Sequence, residues 1–288
     1  MRLARRDLLR AGAVLSAAAL TGCTTQQAGV PVPATSLPAE TSEPQVPASV
    51  RLGVFEYRPY VFEKDGELTG EVVEVVRAVC RGLGATLQVS VVSYTEILPK
   101  MAAGDFHLVG GLSIAPRNCA NLDFSVPDHI SLSALAVRSG NPEKVTTFAD
   151  IKTNGARLAV VADSLEFSGA VAAGIEGLRQ YPSAEEAVEA VRQGDVDCAA
   201  YDDITLRDLL AGKDGLELAE SFDPPGGSPV YGFGFRKGEN ADLRASFDQG
   251  LATLHRSGDW LRLAEPFGFA ARNAPDPNLT AARACAGR

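Results

Sequence analysis

Two stretches of the chain repeat one local pattern, in which a helix ends at Gly-Asp and an apolar strand follows at once. They are residues 103–106 (Ala-Gly-Asp-Phe) and 193–196 (Gln-Gly-Asp-Val). The repeat predicts two lobes of similar βαβ design. Right-handed crossovers would then bring the carboxyl ends of the strands to one edge of each sheet. Two such edges facing each other form a cleft, so the chain is predicted to be an α/β protein with a site between lobes.

The signals for individual elements support this design. Valines at 72, 75, 76 and 79 form one apolar helical stripe. Ser93–Glu96 and Ser183–Glu186 have the spacing of capping boxes, which start helices. Strands are predicted at 50–55, 87–92, 105–110, 157–161 and 196–201, and further helices at 242–257 and 259–264.

Two short apolar stretches, Ala134–Val137 and Tyr231–Phe235, bracket a long central segment. The simplest topology makes that segment an inserted lobe that two hinge strands join to the first lobe. The predicted boundaries are 49–136 for the first part of lobe 1, 137–230 for lobe 2, 231–270 for the return to lobe 1, and 271–288 for a C-terminal tail.

The N-terminus has the features of an export signal over residues 1–22. A basic start precedes a short apolar run, Ala11–Leu20, which is too short to span a bilayer. Arg5-Arg6 favours the twin-arginine route, with an ordinary secretory signal as the alternative. Leu20–Cys23 resembles a lipobox, which predicts a lipidated Cys23. Residues 23–48 are rich in Pro, Thr and Ser and are predicted to be an extended tether.

Composition excludes several classes of protein. The chain has a net charge of −9 and no basic stripe, which argues against nucleic acid as a partner. The histidines are scattered and no C-x-x-C is present, so neither a metal nor another cofactor is expected. The sequence also lacks G-x-S-x-G, H-E-x-x-H and P-loop motifs, and an enzyme is therefore not the favoured interpretation.

Cysteine use leaves one question open. Besides Cys23 the chain has Cys80, Cys119, Cys198 and Cys285. Export permits disulfides. A pair between Cys119 and Cys285 would fix a tail that otherwise has no reason to be ordered. The alternative is that the thiols stay unpaired.

The most informative block is 110–127, where a strand runs into two glycines, a serine, a proline-started segment and a Phe-Ser-x-Pro exit. With residues 66–71, 94–106 and 194–197, this block resembles family 3 extracellular solute-binding proteins of ABC importers. The resemblance implies the periplasmic-binding-protein type II fold, with two lobes and two hinge crossovers. It also implies a small solute and a membrane permease as partners, with the receptor acting as a monomer.

A narrower resemblance is to members that bind ectoine and hydroxyectoine. It rests on Arg58–Tyr60, Leu68–Glu71, Cys119, Pro266–Phe269 and a tail cysteine. Ectoine-type binding is therefore an alternative to amino-acid binding. Two other functional classes stay open. One is an enzyme resembling cyclohexadienyl dehydratases, for which Glu166 would be the acid or base, and the other is a sensor that presents its ligand to another membrane protein.

On the first lobe, the resemblance implies that Tyr60 holds a cationic nitrogen by cation–π attraction. Tyr94 would form a second aromatic wall, although it could simply belong to a helix cap. Gly111 and Ser113 match positions that hydrogen-bond an amino-acid ligand. Glu56 and Tyr57, just after the first strand, are further candidates for polar contacts.

One position departs from the family pattern. The usual sequence is Thr-Pro-x-Arg, whose arginine holds the ligand carboxylate in a bidentate fork. Here the sequence is Ala115-Pro116-Arg117-Asn118. Asn118 takes the place of the arginine, and Arg117 stands one position early, which turns a side chain about 100° on a helix. Arg117 is either a displaced clamp or a solvated surface residue.

On the second lobe, Ser164 stands at a predicted helix start and can bind an anionic group with its hydroxyl and backbone N–H. Asp202 ends a strand and matches the carboxylate that binds a ligand ammonium in amino-acid-binding members. Asp203 is expected to cap the next helix. Together these features favour a nitrogenous solute, zwitterionic or cationic. The resemblance and the N-terminus imply a receptor anchored by lipid to the outer face of the cytoplasmic membrane.

Overall fold

The computed structural model describes residues 45–224 and 226–287. The predicted signal peptide, the arginine pair, Cys23 and the tether up to residue 44 lie outside the described residues. Within the described part of the chain, every helix is too short or too polar to span a membrane.

The first lobe is built on a six-stranded sheet in the order β4-β1-β5-β13-β6, with β7 added against β13. Strands β1, β4 and β5 are parallel, and β13 runs antiparallel to its neighbours. Both faces of the central strands are covered, which explains their nearly continuous apolar sequence. The bounds are β1 Ser49–Val54, β4 Thr86–Val91, β5 Leu108–Ser113, β6 Leu122–Phe124, β7 His129–Ile130 and β13 Val230–Arg236. Strands β2 (Phe62–Lys64) and β3 (Glu67–Thr69) form a separate hairpin, which lies between β1 and β4 along the chain.

Helices cover this sheet, and the valine stripe of α1 is buried as its spacing predicts. Gly104 ends α2 in the left-handed conformation, as expected from the Gly-Asp pattern. The capping box at Ser93 is present and starts a 3-10 turn that leads into α2. The helices of the lobe are α1 Glu71–Gly82, α2 Ile97–Ala103, α3 Pro116–Cys119, α8 Ala241–Ser257, α9 Asp259–Ala264 and α10 Ala281–Cys285.

The second lobe has a five-stranded sheet in the order β10-β9-β11-β8-β12. Ser183 caps α6 and Gly194 ends it, so the second Gly-Asp repeat is built like the first. The strands are β8 Ser133–Arg138, β9 Leu158–Val161, β10 Arg179–Tyr181, β11 Cys198–Asp202 and β12 Leu216–Leu218. The helices are α4 Phe148–Asn154, α5 Leu165–Ala172, α6 Ala184–Gln193 and α7 Asp203–Leu210. This two-lobed α/β architecture confirms the predicted fold class.

The two crossovers differ from the predicted hinge strands. Residues 134–137 lie inside β8, a full member of the second sheet, and residues 231–235 lie inside β13 of the first sheet. The chain instead crosses just before β8 and again before β13, where Ser133 and Phe222 exchange two backbone hydrogen bonds of 2.8 and 2.9 Å. Each apolar stretch was long enough to fill a sheet position, which is why both were absorbed into sheets.

Asp203 does not cap α7, although the sequence led us to expect that it would. Its side chain instead forms hydrogen bonds at the first crossover. Its buried carboxylate accepts from the backbone N–H of Leu132 at 3.1 Å and from the side-chain amide of Asn273. The N-cap of α7 is Asp202, whose side chain accepts from the backbone N–H of Thr205 at 2.9 Å. The start of α7 is thereby tied to the first crossover and to the C-terminal segment.

Candidate ligand-binding cleft

A cavity of about 270 Å³ lies where the carboxyl ends of β1, β5 and β11 meet. This is the place at which open α/β sheets bind ligands. The residues that line it come from both lobes: Phe55, Tyr57, Tyr60, Val61, Tyr94, Gly111, Leu112, Ser113, Arg117, Asn118, Tyr201, Asp202 and Tyr231. Eight residues named from the sequence are therefore brought together: Tyr57, Tyr60, Tyr94, Gly111, Ser113, Arg117, Asn118 and Asp202.

The first-lobe side of the cavity, which we call the aromatic wall, is formed by stacked rings. Tyr57 lies parallel to Tyr60 with centroids 5.2 Å apart, and Tyr60 lies 6.5 Å from Tyr231. Tyr94 packs edge-on against Phe55 at 5.1 Å and remains 52% exposed at the mouth. Such rings present a flat, electron-rich surface that is suited to apolar groups and to cations.

The second-lobe side carries charge. Asp202 accepts a hydrogen bond of 3.1 Å from the Tyr60 hydroxyl, and the hydroxyls of Tyr57 and Tyr201 lie 2.9 Å apart. Both contacts cross from one lobe to the other. Burial raises the pKa of Asp202 above its usual range, while the hydrogen bonds from Thr205 and Tyr60 oppose that shift. Asp202 is thus a partly desolvated carboxylate, and a cationic partner would stabilise its charged form.

Three predicted site residues do not line the cavity. Ser164 caps α5, with its hydroxyl accepting from the backbone N–H of Phe167 at 3.0 Å. Glu166 is buried and accepts from Ser133 at 2.8 Å. Burial, and then the nearby charge of Asp202, raise the pKa of Glu166 to about 7. Glu56 is likewise absent from the lining.

The departure from the family pattern has a clear local geometry. Asn118 is nearly buried in α3, and its side-chain amide donates to the backbone carbonyl of Ser113 at 2.9 Å. Asn118 therefore fixes the end of β5 to α3. Arg117 is exposed and borders the cavity, and it is the one cationic residue among the described lining residues.

A disulfide bond links the end of α3 to the C-terminal tail. Cys119, which follows Asn118 directly, is joined to Cys285 of α10, with the two Cα atoms 5.9 Å apart. Cys80 and Cys198 are free and buried. The C-terminal tail thus braces the short helix that carries Arg117 and Asn118.

Behind the aromatic wall lies a buried polar cluster that the sequence did not suggest. The His129 ring stacks on Tyr231 at 4.7 Å, and its Nδ1 lies 2.8 Å from Asp128 Oδ2. The Trp260 indole N–H donates to Asp128 Oδ1 at 3.1 Å. The Glu71 carboxyl lies 3.9 Å from His129 Nδ1. All four side chains are buried.

Glu71, Asp128 and His129 have ligand atoms within 4.8 Å of one another, the spacing of a metal site. However, the separation of 2.8 Å between His129 and Asp128 is that of a direct hydrogen bond. Burial, and then the charge of Asp128, raise the pKa of Glu71 well above its usual range. For Asp128, burial alone would raise the pKa, but His129 and Glu71 together hold it below the usual range. We therefore interpret the cluster as a hydrogen-bonded network with one neutral acid, in which both Glu71 oxygens and His129 Nε2 have no partner among the described residues.

The lining also includes five residues that were not named from the sequence: Phe55, Val61, Leu112, Tyr201 and Tyr231. Tyr201 had a usable signal, because it precedes Asp202 at the end of the same strand. Tyr231 was assigned to a hinge strand, and nothing local shows that its ring meets Tyr60. The other three are apolar residues at strand ends, and their sequence does not distinguish them from core.

The fold and the cleft define a two-lobed protein that captures a small molecule between its sheets. Residues 50–270 match the family model described as bacterial extracellular solute-binding proteins, family 3. The chain belongs to that family, as the resemblance predicted. Members of the family bind small solutes.

The individual relatives and solved structures share only about a quarter of their residues with this chain. The chain is 26% identical over 221 residues to a probable amino-acid ABC transporter-binding protein of Haemophilus influenzae, an alignment that covers 74% of this chain and 82% of that one. It resembles the unliganded, open L-cystine solute receptor of Neisseria gonorrhoeae with a TM-score of 0.69 and 25% identity, covering 79% of this chain and 95% of that one. It resembles EhuB in complex with hydroxyectoine with a TM-score of 0.59 and 28% identity, covering 84% of this chain and 95% of that one.

Proposed function

We propose that this protein is the substrate-binding component of an amino-acid-type ABC importer, and that it captures a small solute with a cationic nitrogen, such as an amino acid. The observation that carries the proposal is Asp202, a desolvated carboxylate at the end of β11 that faces the aromatic wall. The name of the Haemophilus relative supports the transport role.

The ligand class follows from what surrounds the cavity. An ammonium or amidinium group between Asp202 and the Tyr60 ring gains a charge-assisted hydrogen bond and a cation–π contact. The Tyr60 hydroxyl and the Thr205 backbone N–H both donate to Asp202 Oδ1, and the ligand nitrogen would therefore donate to Oδ2. Arg117 at the rim is placed to attract the carboxylate of a zwitterion, while Asn118 is engaged with the backbone of Ser113.

Capture requires the lobes to close. The chain superposes better on the open cystine receptor than on the EhuB complex, although its identity to EhuB is higher. We take the described conformation to be nearer the open state. The solute then stabilises the closed form by contacting both walls, and a permease recognises that form.

The N-terminal features complete the proposal. The protein is exported, by the twin-arginine route in our interpretation of Arg5-Arg6, and is lipidated at Cys23. The tether of residues 23–48 then holds a monomeric binding domain at the outer face of the cytoplasmic membrane. Mass spectrometry of the membrane-extracted protein tests this directly, since Cys23→Ala should abolish a diacylglycerol adduct and release the protein.

Calorimetric titration tests the binding role. The soluble domain should bind at least one member of a panel of L-amino acids, polyamines, betaines and ectoines. Asp202→Asn should weaken that binding, while Asp214→Asn, an exposed second-lobe carboxylate, should leave it unchanged. No binding across the panel would overturn the proposal.

Ectoine-type binding is the second candidate, because the EhuB structure contains hydroxyectoine and this cleft has its own wall of stacked tyrosines. Ectoines and amino acids are separate arms of the same titration. An enzymatic role is disfavoured, since Glu166 does not line the cavity and the acid–base hypothesis depended on it. The relatives are described as solute-binding proteins, which agrees with this view.

A further inference from the structure

The aromatic wall rests on a second layer of rings. His129 stacks on Tyr231 at 4.7 Å with an interplanar angle of 13°, and on Tyr60 at 5.6 Å with an angle of 26°. Phe269 closes the same group edge-on, 5.1 Å from His129. One imidazole therefore stacks on both Tyr60, which is buried, and Tyr231, which is half-buried, and both of these rings line the cavity.

The orientation of this imidazole is fixed by Asp128. Stacking leaves a ring free to rotate in its own plane, whereas the contact of 2.8 Å from Nδ1 to Asp128 Oδ2 removes that freedom. Asp128 is held in turn by the Trp260 indole N–H. Asp128 accepts through Oδ1 from the Trp260 indole N–H, which can only donate, and an ionised Asp128, with which its lowered pKa agrees, accepts through Oδ2 from Nδ1–H.

Glu71 occupies the remaining side of the cluster. Its side chain is 0% exposed, and neither oxygen receives a hydrogen bond from a described donor. An ionised carboxylate in that position would be strongly destabilised by the loss of its hydration. A protonated Glu71 instead becomes a donor towards Asp128, which agrees with the raised pKa of its carboxyl. His255 lies close by, stacked on Trp260 at 4.8 Å, and adds no acidic group.

We propose that His129, Asp128 and Glu71 are positioning residues for ligand binding, in which a neutral Glu71 and an ionised Asp128 fix the imidazole that aligns the Tyr60 and Tyr231 rings. The role of these residues in binding rests on the proposed function. The network itself does not, since its contacts join side chains of this chain only. Residues that do not touch the cavity thus help to set the shape of the first-lobe wall.

The binding test uses four variants and the tightest-binding panel member as the probe. His129→Phe keeps a stacking ring but removes Nδ1, and Asp128→Asn removes the charged acceptor. Each should weaken binding about tenfold, the value of one well-aligned aromatic contact. Glu71→Ala should weaken binding similarly, and Glu71→Gln should restore it, because the amide N–H replaces the acid O–H as donor.

Asp248→Asn is the matched control. Asp248 accepts from the backbone N–H of Val126 at 2.9 Å, so it holds the same chain segment without touching His129. Its affinity should stay within about twofold of the wild type. The calorimetric stoichiometry counts competent molecules in every variant. Lower thermal stability with unchanged affinity per site would show a merely structural role and would overturn the proposal.

Nuclear magnetic resonance of the ligand-free protein tests the network separately. We expect a directly bonded proton on His129 Nδ1 and a neutral-acid carboxyl signal for ¹³C-labelled Glu71 at neutral pH. An unprotonated Nδ1 or an ionised Glu71 would overturn the proposed network. If these signals are found but no probe binds, the proposed function and the binding role fail while the network stands.

Discussion

The two walls of the cleft are built on opposite principles. The first-lobe wall is a stack of rings, tightly packed and backed by a buried polar cluster, and it offers shape and electron-rich faces. The second-lobe wall offers a carboxylate, Asp202, with Glu166 buried near it. The rings offer no formal charge, and the carboxylate has lost much of its hydration by burial. Under the proposed function, the difference between the walls implies that selectivity depends on a ligand that contacts the carboxylate and the aromatic surface together.

The largest effect is expected on stability, from the disulfide that joins the first lobe to the C-terminal tail. Replacing both Cys119 and Cys285 by serine should lower the free energy of unfolding by about 2–5 kcal/mol, because a long loop is released in the unfolded chain. Urea denaturation measures this effect. Cys80→Ala, which removes a free buried thiol, is the control and should cost less. Equal losses in the two variants would show that the bridge contributes little.

The charge of the second wall should dominate binding. Asp202→Asn is isosteric and should cost about 2–4 kcal/mol in the free energy of binding of a cationic or zwitterionic solute, since a desolvated charge loses its partner. Calorimetry of the folded variant gives the value. Unchanged affinity would remove Asp202 from the site and make the aromatic wall sufficient by itself.

Glu166 should make stability depend on pH. Its pKa is raised to about 7 in the folded protein, so the folded state holds this proton more tightly than the unfolded state. The resulting stabilisation is complete below about pH 4 and is lost as the pH rises towards 7. Glu166→Gln cannot titrate. Urea unfolding should therefore show the wild type losing roughly 1–3 kcal/mol relative to Glu166→Gln between pH 4.5 and 8. Parallel pH profiles would contradict the assignment.

The smallest effect separates ring from hydroxyl on the first wall. Tyr60→Leu should weaken binding by about 1–2 kcal/mol through loss of the cation–π face. Tyr60→Phe keeps that face and loses only the hydrogen bond to Asp202. Calorimetry of the pair should show the larger loss for leucine. If phenylalanine is the more damaging substitution, the hydroxyl rather than the ring is what the first wall supplies.

Local rules in the sequence predicted much of the fold. The Gly-Asp repeats, the valine stripe of α1 and the capping serines each express an interaction between near neighbours. The predicted positions of the crossovers were wrong because the sequence of an apolar strand does not show whether the strand belongs to a sheet or to a hinge. The exchange of roles between Asp202 and Asp203 was missed because both have the chemistry of a cap, and only the packing of Asn273 and Leu132 decides between them.

The candidate site divides in the same way. Asp202 and Tyr60 follow predicted strands or turns, so their placement at the cleft could be expected. Tyr231 reaches the wall from a returning strand, and the cluster of Glu71, Asp128 and Trp260 joins residues far apart in the chain. No periodicity relates such positions. They become visible only when the tertiary structure brings the rings and carboxyls together.

The most direct test of the account is native mass spectrometry of the soluble domain mixed with equimolar arginine, glutamine, glycine betaine, hydroxyectoine and succinate. The account predicts one bound solute per chain, drawn from the members with a cationic nitrogen and lost in Asp202→Asn. Retention of succinate, or binding of no member at all, would contradict it.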